Sequence, residues 1–405
     1  MSPRVARGWA GLWLGLALTG GAVAQPTVSL ADAVEAAWRR SAQSAEATGQ
    51  LRQAEARRDA ASAFWAAPPA VEAGVMRERQ KAGGARVRET ELGLAVPLWL
   101  PGQRAAGLAQ ADAAAAAAAA TAAAGRLRLA GAVREAAAEV ALQRAELLAA
   151  EAQWRELDAL ARDVARRVAA GDLAPADALA ARAELLAASG AVAQARQRAQ
   201  ASELQWQALT GLSTLPEAAI MPSSPAPGAL DAHPVRRAAA LNVELARKRV
   251  ASAVASRRDA PELLLRARQE VSSGEPDTRG LGIAIRVPFG TADRNGPLAA
   301  AALAELDVAE AAEREQVSQL EAALATARLG EQAARQQLAD ERARAALLRE
   351  RAGLIDRSFK AGETGLPDML RALNAAAQAE AALARQEAVL SQATSRLQQA
   401  LGVMP

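Results

Sequence analysis

Leu92-Gly93-Leu94-Ala95-Val96-Pro97-Leu98-Trp99-Leu100-Pro101-Gly102-Gln103-Arg104 contains the decisive change of period in this chain. Up to Val96 the apolar residues Leu92, Leu94 and Val96 alternate with Glu91, Gly93 and Ala95. A period of two predicts a strand with one apolar face. Beyond Pro101-Gly102 no Pro occurs until after Val168, and Val133, Val140, Leu147, Trp154, Ala161 and Val168 fall every seven residues. Ala136, Ala150, Leu157 and Val164 form a companion seam. Heptad spacing predicts coiled-coil packing, and at ~1.5 Å per residue this helix is roughly 100 Å long. Upstream, Val71, Ala73 and Val75 alternate with Glu72, Gly74 and Met76, and Gly83-Gly84 supplies the turn of a hairpin. Leu30 to Ala66 reads as one helix stopped by Pro68-Pro69. Downstream, Ala170-Gly171-Asp172-Leu173-Ala174-Pro175 reads as a turn into a second helix, Pro175 to Leu209. Each flanking helix is roughly 55 Å long, so the two laid end to end match the long one.

The same order is written twice. Val96-Pro97 matches Val287-Pro288, Gly171 matches Gly362, and Gly211 matches Gly402, each at an offset of 191. Pro69 and Pro261 need 192. In the second copy Leu263, Leu265 and Ala267 alternate with Leu264, Arg266 and Arg268. After Ser272-Ser273-Gly274, Leu281, Ile283, Ile285 and Val287 alternate with Gly282, Ala284 and Arg286. The expected organisation is a leader at 1–24, a first copy at 25–215, a Pro/Ser-rich linker at 216–233 and a second copy at 234–405. The hairpins fall at about 70–97 and 262–288, the long helices at about 103–168 and 295–360. A soluble sandwich edge shows such strand alternation, and so does a barrel strand between lipid and water.

Composition narrows the choice. The 405 residues carry 48 Lys+Arg against 45 Asp+Glu, one His, no Cys and no Tyr, with 2% aromatic content. Without Cys there is no disulfide framework, no Cys-ligated zinc or iron–sulfur site and no lipid-anchored N-terminal Cys. A lone His233 excludes His-rich metal, haem or triad chemistry. The 51% hydrophobic fraction is mostly Ala, a strong helix former that buries little surface. Abundant Ala, Glu, Arg, Leu and Gln points to long packed helices rather than a globular enzyme. Setting aside residues 1–24, which hold Arg4 and Arg7 and no acid, lowers the net charge from +3 to +1. The pI of about 10.0 reflects Arg content, and no nucleic-acid partner is expected.

Arg4 and Arg7, an apolar run from Trp9 to Leu18, and Ala22-Val23-Ala24 have the order of a secretory leader cleaved before Gln25. The Ala113 to Ala120 tract is flanked by Arg104 and Arg126 and is no transmembrane helix. A membrane-inserted form must therefore be a β-barrel. Four strands cannot close one alone, and association of several chains removes the open edges.

Leader, two copies, a hairpin in each and very long helices together make the chain similar to the TolC-type outer-membrane efflux channel family, over the whole mature length. The specific elements are the Val96 to Arg104 junction, its counterpart Val287-Pro288-Phe289-Gly290, and the two Gly turns followed by Asp177 and Asp368. The junction is most similar to the cation and heavy-metal efflux branch. The resemblance implies a mainly α fold with a small β part, in which a homotrimer shares one barrel of four strands per chain and continues as a coiled-coil α-barrel. It implies a passive exit duct for small molecules or cations in the outer membrane of a Gram-negative bacterium, extending into the periplasm. Its partners would be outer-membrane lipid, a periplasmic adaptor (membrane fusion) protein and, through it, an inner-membrane transporter. No cofactor, metal or enzymatic activity is implied.

Residue by residue, the resemblance places Gly171, Asp172, Leu173, Gly362, Glu363 and Thr364 at tips that meet the adaptor. It places Asp368 at the tunnel constriction, with Arg371 where some members carry a second acid. A plain structural account exists for each: Gly stops a helix at positive φ, Pro restarts one, and Asp177 and Asp368 complement a helix dipole. Trp65 and Trp99, with Pro97 and Pro288, bracket the barrel–periplasm junction, where aromatic rings favour a membrane interface or cap helix packing. His233 before Pro234 reads as a helix-start residue. Met1, Met76, Met221, Met369 and Met404 are scattered, so a metal substrate would be conducted without chelation. Gly280-Leu281-Gly282 lies in a strand and lacks the third Gly of a phosphate loop. The competing functions are the exit channel of a type I protein-secretion system, a soluble periplasmic coiled-coil adaptor, and a secreted enzyme. Adaptors need a lipoyl-like or barrel domain between helices, and an enzyme needs a nucleophile–base constellation not found here. Deleting residues 1–24 is expected to strand the protein in the cytoplasm. Envelope protein that still begins at Met1 would refute the leader.

Overall fold

The computed structural model describes residues 28–79, 86–215, 230–273 and 276–405. The leader, the Gly83-Gly84 turn, Gly274 and linker residues 216–229 lie outside them. In chain order the elements are α1 (Leu30–Arg40), α2 (Ala42–Ser62), β1 (Ala70–Arg79), β2 (Arg86–Pro97), α3 (Gln103–Ala169) and α4 (Pro175–Thr210). There follow α5 (Pro234–Ala255), β3 (Glu262–Ser272), β4 (Thr278–Arg286), α6 (Thr291–Lys360) and α7 (Leu366–Ala400). The strands form one antiparallel sheet in the order β1-β2-β3-β4.

Every strand is joined directly to a helix. α2 feeds β1, β2 leads into α3, α5 feeds β3 and β4 leads into α6. Beside the sheet α3 packs on α2 and α5, and α6 packs on α5. Further from it α3 packs on α4 and α7, and α6 packs on α7. The protomer is therefore a slab four elements wide along its length. One edge runs β1, α2, α4 and the other runs β4, α6.

The expected helix from Leu30 to Ala66 is two helices. Ser41 takes extended backbone (φ −78°, ψ 144°), and its side chain accepts from the Ser44 amide at 3.2 Å to start α2. Serine is a weak interior helix residue and a strong N-cap, so it splits the run. The second helix ends at Ser62, ahead of the prolines. α1 opens on a reciprocal cap: Ser29 Oγ accepts from the Asp32 amide at 3.0 Å, and the Ser29 amide donates to Asp32 Oδ2 at 3.2 Å.

The heptad seam of α3 holds at both ends and fails between them. Val133 and Val140 are fully buried in a cluster with Ala33, Ala37 and Trp206. Leu157 and Val164 are buried in a second cluster with Phe359, Leu366 and Met369. Trp154, placed on the seam by spacing, is exposed. A straight helix drifts from a strict seven-residue repeat, which moves the buried stripe from the Val133/Val140 seam to the Leu157/Val164 seam and off position 154.

Where the second copy starts, His233 is buried, and its Nδ1 accepts from the Val235 amide at 3.2 Å as the N-cap of α5. Nε2 is buried facing the Gln399 backbone, at a geometry too poor for a regular hydrogen bond. A Cβ on Gly402, which sits at φ +75°, would lie 2.6 Å from the imidazole, so the C-terminal turn packs directly on the ring. Burial lowers the His233 pKa from 6.5, partly opposed by a backbone bond with Gln399. The folded state therefore favours the neutral ring, and stability present above pH ~6.5 is lost as pH falls through the lowered folded value. Amide exchange at 234–238 and 401–403, corrected for its intrinsic pH dependence, should show weaker protection at pH 5 than at pH 7.5. His233→Asn, which keeps a capping oxygen, should remove the difference. An unchanged difference in that variant would reject the account.

Candidate functional site

The strand register aligns the apolar faces of all four strands. Val71 opposes Leu94, which opposes Leu265, which opposes Ile283. The next row towards the hairpin tips is Ala73, Leu92, Ala267 and Leu281, and the row on the helix side contains Val96, Leu263 and Ile285. This face is widely open: Val71 is 77% exposed, Leu281 91% and Ile283 77%. A slip of one residue would turn any strand's apolar set to the other face, so the shared alignment fixes the register.

The opposite face is polar and small. It carries Glu72, Glu78, Glu89, Glu91, Glu262 and Glu270 against Arg266, Arg268 and Arg286, with Gly74, Gly93, Gly280 and Gly282 between them. Arg268 pairs with Glu89 at 2.7 Å and Glu270 at 3.1 Å, Arg266 with Glu91 at 3.6 Å, and Arg286 with Glu262 at 2.9 Å. The full register adds the acids of β1 and β2, and the face has a carboxylate surplus.

At the sheet–helix junction, Trp99 Nε1 donates to the Ala63 carbonyl at 3.1 Å and the Ala66 amide donates to the Pro97 carbonyl at 3.3 Å. Trp65 stacks edge-on against Phe64 at 4.4 Å between centroids. The Leu98 amide donates to the Pro261 carbonyl at 2.8 Å, tying the two hairpins together. Pro288 is half-buried, and beside it Phe289 is 94% exposed. Gly102 and Gly290 start α3 and α6 at φ +80° and +72°.

The two tips share one geometry. Gly171 has φ +87°, its amide donates to the Val168 carbonyl at 3.0 Å, and the Asp172 amide donates to the Arg167 carbonyl at 2.9 Å. Gly362 has φ +80°, with bonds to Phe359 at 3.1 Å and from Glu363 to Ser358 at 3.0 Å. These paired bonds close a helix C-terminus around a left-handed residue. Gly171, Asp172, Gly362 and Glu363 are exposed, while Leu173 and Thr364 are half-buried. Thr364 Oγ1 lies 2.6 Å from Ser358 Oγ.

The sequence holds an anchor for these turns that the motif reading missed. Leu366 and Phe359 are each 2% exposed, and Leu173 packs against their cluster. The Arg167 guanidinium stands 4.8 Å from the Phe359 ring centroid. The offset that carries Gly171 to Gly362 also carries Val168 to Phe359, which is the signal that marks this residue.

Asp177 and Asp368 start equivalent helices but use their carboxylates differently. Asp177 Oδ2 accepts from the Ala174 amide at 3.2 Å, closing its own helix start. Asp368 pairs with Arg371 at 2.8 Å, both side chains largely in solvent. Among the described residues no helix is long and apolar enough to cross a membrane, and no group of three or more His, Asp or Glu could hold a metal ion.

No protein-family model matches the sequence, and no curated protein matches it significantly. Solved structures do match. The outer membrane protein VceC of Vibrio cholerae is 19% identical with a TM-score of 0.73, over 92% of this chain and 96% of that one. The CmeC outer membrane channel of Campylobacter jejuni is 14% identical at 0.73, over 99% and 94%. CusC, whose structures concern folding and transmembrane channel formation, is 16% identical at 0.75, over 93% of each chain. The fold is that of the TolC-type outer-membrane channels. In this fold the two-faced sheet and the paired tips occupy opposite ends of helices about 100 Å long.

A Cβ added at Gly171 or Gly362 meets nothing within 4 Å, so substitution acts through backbone strain alone. Gly171→Val with Gly362→Val should cost about 1–2 kcal/mol per site. Amide exchange should rise at 171–172 and 362–363 while Val133 and Val140 stay protected. Loss of protection at the distant pair would mean that the turns nucleate the whole bundle.

Proposed function

We propose that this chain is the outer-membrane exit duct of a tripartite efflux system, a passive conduit for small molecules or cations across the periplasm and outer membrane of a Gram-negative bacterium. The carrying observation is the four-stranded sheet with one continuous apolar face, one polar face and two unpaired edges, continuous with helices of membrane-to-membrane scale. In water the apolar face would be an aggregation surface. In lipid it is an outer wall, and the Glu-rich face lines a water-filled pore.

Closure requires copies. β1 of one chain pairs with β4 of the next, and three chains of four strands each give twelve strands, an even antiparallel barrel. The slab edges carry matching apolar residues, Leu179 and Leu186 on α4 against Leu347 and Leu354 on α6, all exposed in one chain. A head-to-tail contact of this kind closes into a ring. The leader at 1–24 sends the chain out of the cytoplasm, and the copies at 25–215 and 234–405, joined by the 216–233 linker, each give one hairpin and one tip.

In this reading Trp65, Trp99, Pro97 and Pro288 sit at the periplasmic membrane interface. Gly171, Asp172, Leu173, Gly362, Glu363 and Thr364 meet a periplasmic adaptor, which links the duct to an inner-membrane transporter. Asp368 stands at the narrow end of the tunnel with Arg371 offsetting its charge, which argues against a strongly cation-selective ring there. The carboxylate surplus inside the barrel attracts cations instead. Cross-linkers at 172 and 363 should capture the adaptor.

Ile283 and Gly282 are adjacent in β4 and face opposite sides. Ile283→Arg puts a cation on the lipid face, which costs roughly 2–4 kcal/mol at mid-bilayer. Gly282→Arg puts it in the lumen. Trimer yield in the outer-membrane fraction should fall for Ile283→Arg and hold for Gly282→Arg. Equal damage would refute the assigned faces.

A further inference from the structure

Above the apolar rows the lipid-side face changes abruptly. The next row towards the hairpin tips is Val75, Thr90, Gln269 and Arg279, and the one after it sets Arg77 directly opposite Arg88, with Val271 beside them. Arg77, Arg88 and Arg279 are exposed, and none has a carboxylate partner among the described residues. No Asp or Glu occupies this face in any of the four strands. The contrast with the lumen side is sharp, because Arg266, Arg268 and Arg286 there each have a Glu partner. Like charges directly opposite on neighbouring strands repel. An arrangement that keeps Arg77 against Arg88 on a face without acids calls for an anion from outside the chain.

Resting on the channel reading above, we infer that Arg77, Arg88 and Arg279 form a binding site for the phosphate groups of anionic lipid in the outer leaflet of the membrane. The apolar rows place acyl chains against Val71, Leu92, Leu281 and Ile283. The arginines follow within two residue pairs along each strand, the position a headgroup takes when its tails lie on those rows. They lie at the hairpin-tip end, away from the helices, which is the outer leaflet if the helices stand in the periplasm. Guanidinium forks bind phosphate oxygens in pairs, and a headgroup with two phosphates can bridge Arg77 and Arg88 and so offset their repulsion. In the closed ring β4 of one copy lies beside β1 of the next, so Arg279 and Arg77 flank each junction between chains. Lipid held there would strengthen the seam that closes the barrel.

The test uses the full-length protein extracted from outer membranes as the assembled oligomer. Retention of bis-phosphorylated lipid A and of its dephosphorylated form is compared by native mass spectrometry. Wild type should retain the phosphorylated lipid. The variant Arg77→Gln, Arg88→Gln, Arg279→Gln should retain it roughly 10- to 100-fold less, on the scale of the attraction of each Arg to an anionic surface. The variant with Lys at the same three positions should fall between the two, keeping the charge and losing the fork, and Arg266→Gln with Arg268→Gln on the lumen face should match wild type. Equal retention by wild type and the Gln variant, or equal retention of the dephosphorylated lipid, would overturn the site while leaving the channel intact. Wild type that is absent from the outer membrane or unassembled would overturn the channel reading, and this site with it.

Discussion

An unpaired row of strand N–H and C=O groups has no acceptable place in lipid, and this chain presents two such rows, on β1 and on β4. Each unsatisfied group costs several kcal/mol in hydrocarbon, so an open sheet cannot insert as it stands. In the channel reading proposed above, a closed barrel would need apolar residues aligned across all strands and helices leaving from one end of the sheet, and the register and element order have both features.

Helix packing explains the unusual composition. A helix that packs on five neighbours along its length cannot carry large side chains on every contact. α3 meets α2 and α5 near the sheet and α1, α4 and α7 further on, and Ala is the commonest of its buried residues, six of thirteen, beside Leu127, Val133, Val140, Leu157 and Val164. Alanine lets the axes approach closely and is the best helix former. The few large side chains gather into separate clusters around Trp206 and around Phe359 rather than one core.

Much of this was legible in the sequence because period is local. Strand alternation and the Pro-free run after Gly102 each depend on residues close in the chain, and the Gly171/Gly362 match needs only a constant offset of 191. The Ser41 break was missed because capping competes with an otherwise continuous helical pattern and depends on which way one side chain turns. The exposure of Trp154 follows from the drift of a straight helix against a strict seven-residue repeat, which a fixed heptad count does not track. The charge of the sheet faces needed the register of all four strands together: β3 alone carries two arginines and two glutamates on its polar face, and β1 and β2 add four glutamates. Asp177 and Asp368 read as equivalents, yet Arg371, with no counterpart in the first copy, gives the second carboxylate a different partner.

Gly102 and Gly290 mark where sheet gives way to helix, each in left-handed backbone with open space where a Cβ would stand. Each is followed by a helix of 67 or 70 residues that remains unbroken to the tip. Such a helix is a lever with its fulcrum beside the sheet. A tilt of only ~5° there displaces the far end by roughly 9 Å over ~100 Å, close to one helix diameter. Small angular changes at the rigid end are thus magnified into displacements as large as the elements that would have to part.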